Sequence, residues 1–359
     1  MEEPFTMQSS TPLIQTAASL LLAVASVQAQ SAPPSIQPRG GLWPVQAGFD
    51  FNLGTKKALK TRQSVSGVAC SLNASQQRVC LLAFDEGVHA RWATLQDAAM
   101  VAEPAPLLLR DDTGELDAEG AATDGRYFYV TGSHSAKRKS GESNPHSRHV
   151  IRFQRDPATG RALPHPNGAD GALAGYADTG RLWTVMQAQP ELQAFAQENA
   201  RLGVEAGVNI EGVAVRDGRL YFGLRSMGAV LAVDAEALFT PAGAVKATVT
   251  PLVLGTGRGI RDMEAVGKGF LLLAGPNDAE AHQGVGWTVA WWDGQASATP
   301  VEPKVLASLD LRNVKLRDCD KEIKPEAITV LKETPSSFEV LVLSDGMCEG
   351  GPLAFTVPK

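Results

Sequence analysis

The chain has 359 residues, 44% of them hydrophobic and 20% charged, with a formal net charge of −6. That length suits two average domains or one large all-β domain. The mild acidic balance argues against nucleic acid as a partner, because duplex-binding surfaces show a basic excess, but a local arginine cluster could still take an anionic ligand.

The first expected element is an export signal over residues 1–29. Residues 13–29, LIQTAASLLLAVASVQA, are apolar, of h-region length, and end in the small-x-small pattern Val27-Gln28-Ala29. The n-region departs from the usual pattern: it lacks Lys and Arg and carries Glu2 and Glu3, which a start at Met7 would remove. The stretch is short for a membrane span, and QSAPPSIQPRGG after it reads as a flexible linker over residues 30–41. The expectation is a periplasmic or secreted protein with no membrane span after cleavage. Four cysteines agree with an oxidising compartment.

A hairpin pattern then recurs. SVSGVACSLNASQQRVCLLAFDEG begins at Ser64, ELDAEGAATDGRYFYVTGSHS at Glu115, NIEGVAVRDGRLYFGLRS at Asn209, IRDMEAVGKGFLLLAGPND at Ile260 and KPEAITVLKETPSSFEVLVLSDG at Lys324. The reference positions Ser66, Glu119, Glu211, Glu264 and Glu326 are 53, 92, 53 and 62 residues apart. Short strands with a period of roughly 40 to 50 residues suggest a β-propeller with one four-stranded blade per repeat. RHVIRFQRD, GAVLAVDAEALF, VTPLVLG, WTVAWWDG and PKVLASLD supply further strands. The long interval holds a polar insertion, AKRKSGESNPHS, and an amphipathic helix in LWTVMQAQPELQAFAQENARL. The predicted fold is all-β: a single five-bladed propeller with a helical insertion between the second and third repeats. A sixth blade would exist if residues 156–205 formed their own. Only PLAFTVPK follows the last hairpin, so a strand from GLWPVQAGFDFNLG is expected to complete that blade and close a domain spanning residues 42–359.

In a propeller the first strand of each blade lines the axis and the second runs back beside it. The start of one and the end of the other therefore share a face. Glu119 is expected beside His134, Glu211 beside Arg225, Glu264 near Asn277, Glu326 near Asp345, and Ser66 near Asp85 and Glu86. Arg258 and Arg261 enter on the same face. Crowded carboxylates each need a cation, a hydrogen-bond donor or a raised pKa. Glu119, Glu211, Glu264 and Glu326 could hold Ca or Mg, since Ca²⁺ takes about six to eight oxygens; the arginines could also neutralise them without metal. Arg225 and Arg261, with Arg148, Asn277 and Asp345, are candidates to bind a small anionic ligand. His134 occurs in one blade only and is the candidate acid or base, together with Glu119 and Glu211. Against these stands a structural ring, in which each Glu accepts backbone N–H bonds and fixes blade geometry.

The same layout pairs Cys70 with Cys80 and Cys319 with Cys348. Metal binding by these cysteines is disfavoured because no C-x₂₋₄-C pair occurs. No G-x-S-x-G elbow, Walker loop or H-E-x-x-H is present, nor a Rossmann fingerprint in its proper context.

ELDAEGAATDGRYFYVTGSHS, NIEGVAV with GRLYFGLR, GIRDMEAV, and KPEAITVL with VLVLSDG together resemble the bacterial domain-of-unknown-function family 3616, over roughly residues 60–357. The resemblance implies a propeller-like extracytoplasmic protein and no particular activity. Family members often carry E-G-[LIV] at the last hairpin, from which Glu326-Ala327 departs. A weaker likeness to esterase-like phytase propellers, in architecture and in E-G-[IA] inner strands, implies hydrolysis of phosphate or other esters. Three expectations follow. One is a monomeric exported propeller that binds a small anionic ligand or an envelope partner at the rim. The second is a metal-assisted hydrolase at the same place, and the third a purely structural glutamate ring.

Overall fold

The computed structural model describes residues 1–2, 32–46, 48–49, 56–111, 114–137, 140–169, 171–198, 207–277 and 284–359. The expected export signal falls almost wholly on residues 3–31, outside the described residues. Residues 33–359 form one compact unit. Among the described residues no helix is long and apolar enough to cross a membrane.

Five sheets are arranged as blades around one axis. Their inner strands, in blades 1 to 5, are Val65–Leu72, Ala118–Thr123, Ile210–Arg216, Arg258–Val266 and Lys324–Glu333. Each inner strand lies against the next and the fifth against the first, so the ring closes. The second strands, Arg78–Phe84, Tyr127–Gly132, Arg219–Leu224, Gly269–Pro276 and Ser337–Asp345, return antiparallel beside them. In blade 2 the return is set by Asp124, whose Oδ1 accepts the N–H groups of Arg126 at 2.8 Å and Tyr127 at 2.6 Å. Gly125 supplies the positive φ of +84° that this tight turn requires.

Each blade is covered on both faces by its neighbours, which explains apolar runs such as FLLLA at 270–274 that lack strand alternation. Five apolar clusters fill the five gaps. Leu81 meets Phe128 between blades 1 and 2, Tyr129 meets Phe222 between 2 and 3, and Tyr221 meets Phe270 between 3 and 4. Leu271 shares a cluster with Val342 between blades 4 and 5, and Leu341 with Leu82 between 5 and 1. Full burial of one such side chain contributes about 1.5–3 kcal/mol. Closure therefore rests on apolar packing repeated at every interface.

Among the described residues the long interval forms no sixth blade. It adds the edge strand Ala177–Thr179 to blade 2 and a short helix, Arg181–Gln187. The helix stops well before the expected end at residue 202, and the chain continues in turns around Pro190, which has no N–H to donate to a helix ladder. The tail of GAVLAVDAEALF is also helical, over Ala235–Phe239, because Asp234 caps it by accepting the Ala237 N–H at 2.7 Å.

Ring closure differs in detail from the expectation. The last blade has three strands, and the N-terminal segment is shared among three blades rather than completing one. Ser35–Ile36 pairs in parallel with Lys304–Leu309 of blade 4, Leu42 bridges Leu353 of blade 5, and Val45–Gln46 pairs in parallel with Ala99–Leu108 of blade 1. Gly40 and Gly41, both at positive φ, and Pro44 prevent a continuous ladder. Residues 35–41 of the expected linker are thus joined to the blades, with the Arg39 N–H donating to the Ala354 carbonyl at 2.7 Å. Both disulfides occur as paired from the layout: Cys70–Cys80, directly opposite in the first hairpin, and Cys319–Cys348.

Candidate functional site

Every inner strand carries a register shift near its start, at Ser66, Glu119, Glu211, Arg261 and Glu326. A bulge leaves one residue out of the ladder and re-aims its side chain. Here it gathers one residue per blade at the axial mouth. The next residue faces the neighbouring backbone. A Cβ on Gly67 would lie 2.8 Å from the Ala121 nitrogen, one on Gly120 2.9 Å from the Val213 nitrogen, and one on Gly212 2.7 Å from the Asp262 Cα. The throat below the mouth is narrow because these positions carry no side chain.

Blade 4 corrects the sequence register. The sequence repeat puts the acid at Glu264, but the bulged residue is Arg261, three positions earlier, so I-R-D-M is the counterpart of I-E-G-V. Glu264 instead pairs with Leu271, midway along the hairpin and away from Asn277. It lines a small axial cavity of about 70 Å³ beneath the throat, with Ala121, Val213 and Met263. There it accepts the Val330 N–H and, at 3.4 Å, the Thr329 hydroxyl, both from blade 5. Burial pushes its carboxyl up to about 7 against those bonds and the Arg78 charge.

At the mouth the charges interlock. Arg225 Nη1 donates to Glu211 Oε1 at 2.8 Å, and Asn209 Nδ2 donates to the same oxygen at 2.9 Å. Arg261 Nη2 reaches Glu211 Oε2 at 3.4 Å and donates to Glu326 Oε1. Ser66 Oγ approaches the other Glu326 oxygen at 3.5 Å. All four charged side chains are at most 8% exposed. One oxygen each of Glu119, Glu211 and Glu326 lie within 4.8 Å of one another. Two of these carboxylates are therefore neutralised by guanidinium, while Glu119 is pushed well above the usual carboxylate range. Burial is the main cause, followed by the charges of Glu211, Asp117 and Asp85, with Arg261 opposing. Asp85 is pushed up to about 7 by burial and by Asp345 and Asp117.

Of the expected neighbours, Glu211 and Arg225 meet. Asp345 pairs instead with Lys324 at 3.4 Å, and Glu86 is drawn off to Lys60. The second strand of blade 2 delivers Ser133 to the position expected for His134. Its N–H bonds the Asp117 carbonyl, as the Asp85 N–H bonds Ser64 and the Arg225 N–H bonds Asn209. Neighbouring strand residues point to opposite faces, and His134 is fully buried, with Nδ1 at 3.0 Å from the Gly132 carbonyl and the charges of His149 and Arg148 nearby. Burial pushes its pKa down to about 3, so it is neutral at physiological pH. Arg148 clamps the insertion, donating to Glu198 at 2.8 Å and lying 3.8 Å over the Trp183 ring. The Asn277 N–H bonds the Gly257 carbonyl.

Three residues at the mouth or throat were not singled out from sequence. Asp117 and Asn209, each two positions before a bulged Glu, adopt positive φ of 53° and 50°, which Asp and Asn tolerate better than most residues; the recurring D-x-E and N-x-E were the available signal. Asp262 stands at the glycine position in blade 4 and turns its carboxylate to the Met263 N–H at 2.8 Å and the Ile328 N–H at 2.7 Å. Aligning Arg261 rather than Glu264 with the repeat would have exposed it.

Residues 74–159 and 154–350 match the family described as "Protein of unknown function (DUF3616)". No curated protein sequence matches the chain. Similar solved structures include glutaminyl cyclase from Myxococcus xanthus, at 10% identity over 91% of this chain and 98% of that one, with a TM-score of 0.42. An exo-β-1,3-galactanase from Clostridium thermocellum shows 8% identity over 90% and 62% of the two chains, TM-score 0.45. Regucalcin, a calcium-binding protein from Agrobacterium tumefaciens, shows 10% identity over 91% and 95%, TM-score 0.36. Likenesses this distant carry no argument about chemistry.

Proposed function

Since the chain belongs to this family of proteins of unknown function, its role has to be read from its own mouth, and we propose that the mouth binds a divalent cation through which it takes a small anionic ligand. The observation that carries this reading is the three carboxyl groups, from blades 2, 3 and 5, converging within 4.8 Å. Arg225 and Arg261 already serve Glu211 and Glu326, and Glu119 lies in the field of Glu211, Asp117 and Asp85, with Arg261 opposing. A cation there would offset the burial and the neighbouring acidic charges that together push the Glu119 carboxyl upward. An all-oxygen set suits Ca²⁺, which accepts flexible coordination, better than Mg²⁺, which demands a near-ideal octahedron. The expected anion-binding role of the two arginines is thereby replaced: they act as counter-ions, and the metal meets the anion. The two disulfides support an oxidising, extracytoplasmic setting.

Titration calorimetry with CaCl₂ and MgCl₂ tests this directly. Wild-type protein should bind Ca²⁺, Glu119→Gln should weaken it at least tenfold, and inorganic phosphate should bind only when Ca²⁺ is present. The reading fails if wild-type protein shows neither heat nor thermal shift at about 10 mM Ca²⁺, above the range of weak extracellular calcium modules.

A second reading draws on Glu119, whose carboxyl is pushed well above the usual range, converging with Glu211, which Arg225 and Arg261 neutralise, the asymmetry of a general acid and its partner. On that reading the bound ligand is a phosphate or other ester that the site hydrolyses. Release of p-nitrophenol from its phosphate or acetate ester, lost in Glu119→Gln, would support it; absence of turnover with Ca²⁺ present leaves binding alone.

A further inference from the structure

A groove of about 520 Å³ lies between blades 4 and 5. It is lined by residues 266–268, at the turn joining the first two strands of blade 4, and by Glu333 and Phe338, which flank the matching turn of blade 5. Those turns are at the opposite ends of the inner strands from the bulges, so the groove opens on the face away from the acidic mouth.

Its floor and its rim differ in chemistry. Half-buried Trp291 and buried Phe338 provide aromatic surface. Lys304, which pairs with Trp291 across the ladder, and Lys268 are both exposed, and neither has an ion-pair partner among the described residues. The one acid among the described lining residues, Glu333, is already taken by Lys359 at 2.7 Å, and that ammonium lies 4.5 Å from the centre of the Phe338 ring. Two ammonium groups with no ion-pair partner among the described residues thus line the same groove as Trp291, on a chain whose net charge is −6.

We propose that this groove binds an organic anion with a flat apolar body, such as an aromatic carboxylate, stacking its ring on Trp291 and placing its acid group between Lys268 and Lys304. The volume falls in the range of small-molecule sites, which combine an apolar lining with a few placed polar groups. A planar ring on indole gains offset-stacking energy beyond burial alone, and the lysines fix its orientation. A second copy of the chain is a poor occupant, because a two-fold contact would bring identical lysine pairs together. The proposal is independent of the cation reading at the mouth.

The probe is 2-naphthoate, followed by calorimetry and by quenching of tryptophan fluorescence. Wild-type protein should bind it, with affinity falling as salt rises, and 2-methylnaphthalene, which lacks the acid, should bind at least tenfold more weakly. Lys268→Glu/Lys304→Glu should raise the naphthoate Kd at least tenfold with the melting temperature unchanged, because both side chains are exposed. Lys246→Glu, an exposed lysine outside the groove, controls for overall charge and should leave the Kd within twofold. Trp291→Ala should abolish the quenching, and the charge-reversal pair keeps the test decisive if that variant is unstable. No binding to wild-type protein, or equal binding to wild type and the double charge reversal, overturns the proposal.

Discussion

Arg261 of blade 4 donates to Glu326 of blade 5 from the equivalent bulged position of the adjacent inner strand. The same guanidinium nitrogen reaches Glu211 of blade 3 at 3.4 Å. One buried cation therefore ties together acids from the blades on either side of it.

Removing that cation should be costly. Arg261→Met leaves Glu326 buried without its counter-ion and is expected to destabilise the protein by about 3–5 kcal/mol, the usual penalty for breaking one side of a buried pair. Replacing both partners, as in Arg261→Met/Glu326→Leu, should recover more than half of the loss, because an apolar pair carries no desolvation penalty. Urea denaturation at pH 7 reads both values, and a silent single variant would show that the network adds nothing to folding.

Gly212→Ala tests the throat. The new methyl would sit 2.7 Å from the Asp262 Cα and 2.9 Å from the Met263 nitrogen, backbone atoms that cannot rotate away. Overpacking of this kind costs about 1–3 kcal/mol. Gly125→Ala meets no atom within 4 Å and bears only the strain of its φ of +84°. The expected result is a lower melting temperature for Gly212→Ala, together with weaker Ca²⁺ binding, since the displaced strand carries Glu211. Gly125→Ala should alter stability alone.

The Glu264 carboxyl gives a pH signature. Its pKa is raised to about 7 in the folded chain from an ordinary 4.5. Below pH 4.5 both states hold the proton, and its contribution is fully present. Between pH 4.5 and 7 the unfolded chain releases the proton while the folded one keeps it, so stability falls as pH rises; above 7 the difference is constant. Glu264→Gln keeps an oxygen for the Val330 N–H and cannot ionise. Relative to wild type it should gain stability across that window, by up to about 3 kcal/mol at roughly 1.4 kcal/mol per unit. Parallel pH–stability curves from chemical denaturation would show that Glu264 does not titrate there.

Cation binding at the mouth should release protons. Glu119 is held protonated by burial and by neighbouring acids, and a metal requires the carboxylate. Calcium affinity is therefore expected to rise with pH. Calorimetric enthalpies should depend on the ionisation enthalpy of the buffer, and Glu119→Gln should remove that dependence. Identical enthalpies in phosphate-free buffers of different ionisation heat would rule out the coupling.

The features legible in the sequence are those that local chemistry decides. Asp124-Gly125 dictates a hairpin by itself, Cys70 and Cys80 face each other across one such hairpin, and a recurring acidic start followed by a β-rich run announces a blade. Glu211 and Arg225 could be paired in advance because both lie on one two-stranded unit. What sequence comparison missed crosses from blade to blade. Glu264 resembles the other repeat acids, yet the bulge falls on Arg261, which places Asp262 at the position of the throat glycines, where its carboxylate accepts the Ile328 N–H of the neighbouring blade. Ser133 rather than His134 faces the mouth because a shift of one residue turns a strand side chain to the other face. The N-terminal segment is divided among three blades by Gly40, Gly41 and Pro44, which interrupt any one ladder. Hairpin and disulfide geometry need only neighbours in the chain, whereas the axial charge network depends on five inner strands packed at once, a constraint that exists only after the ring has closed.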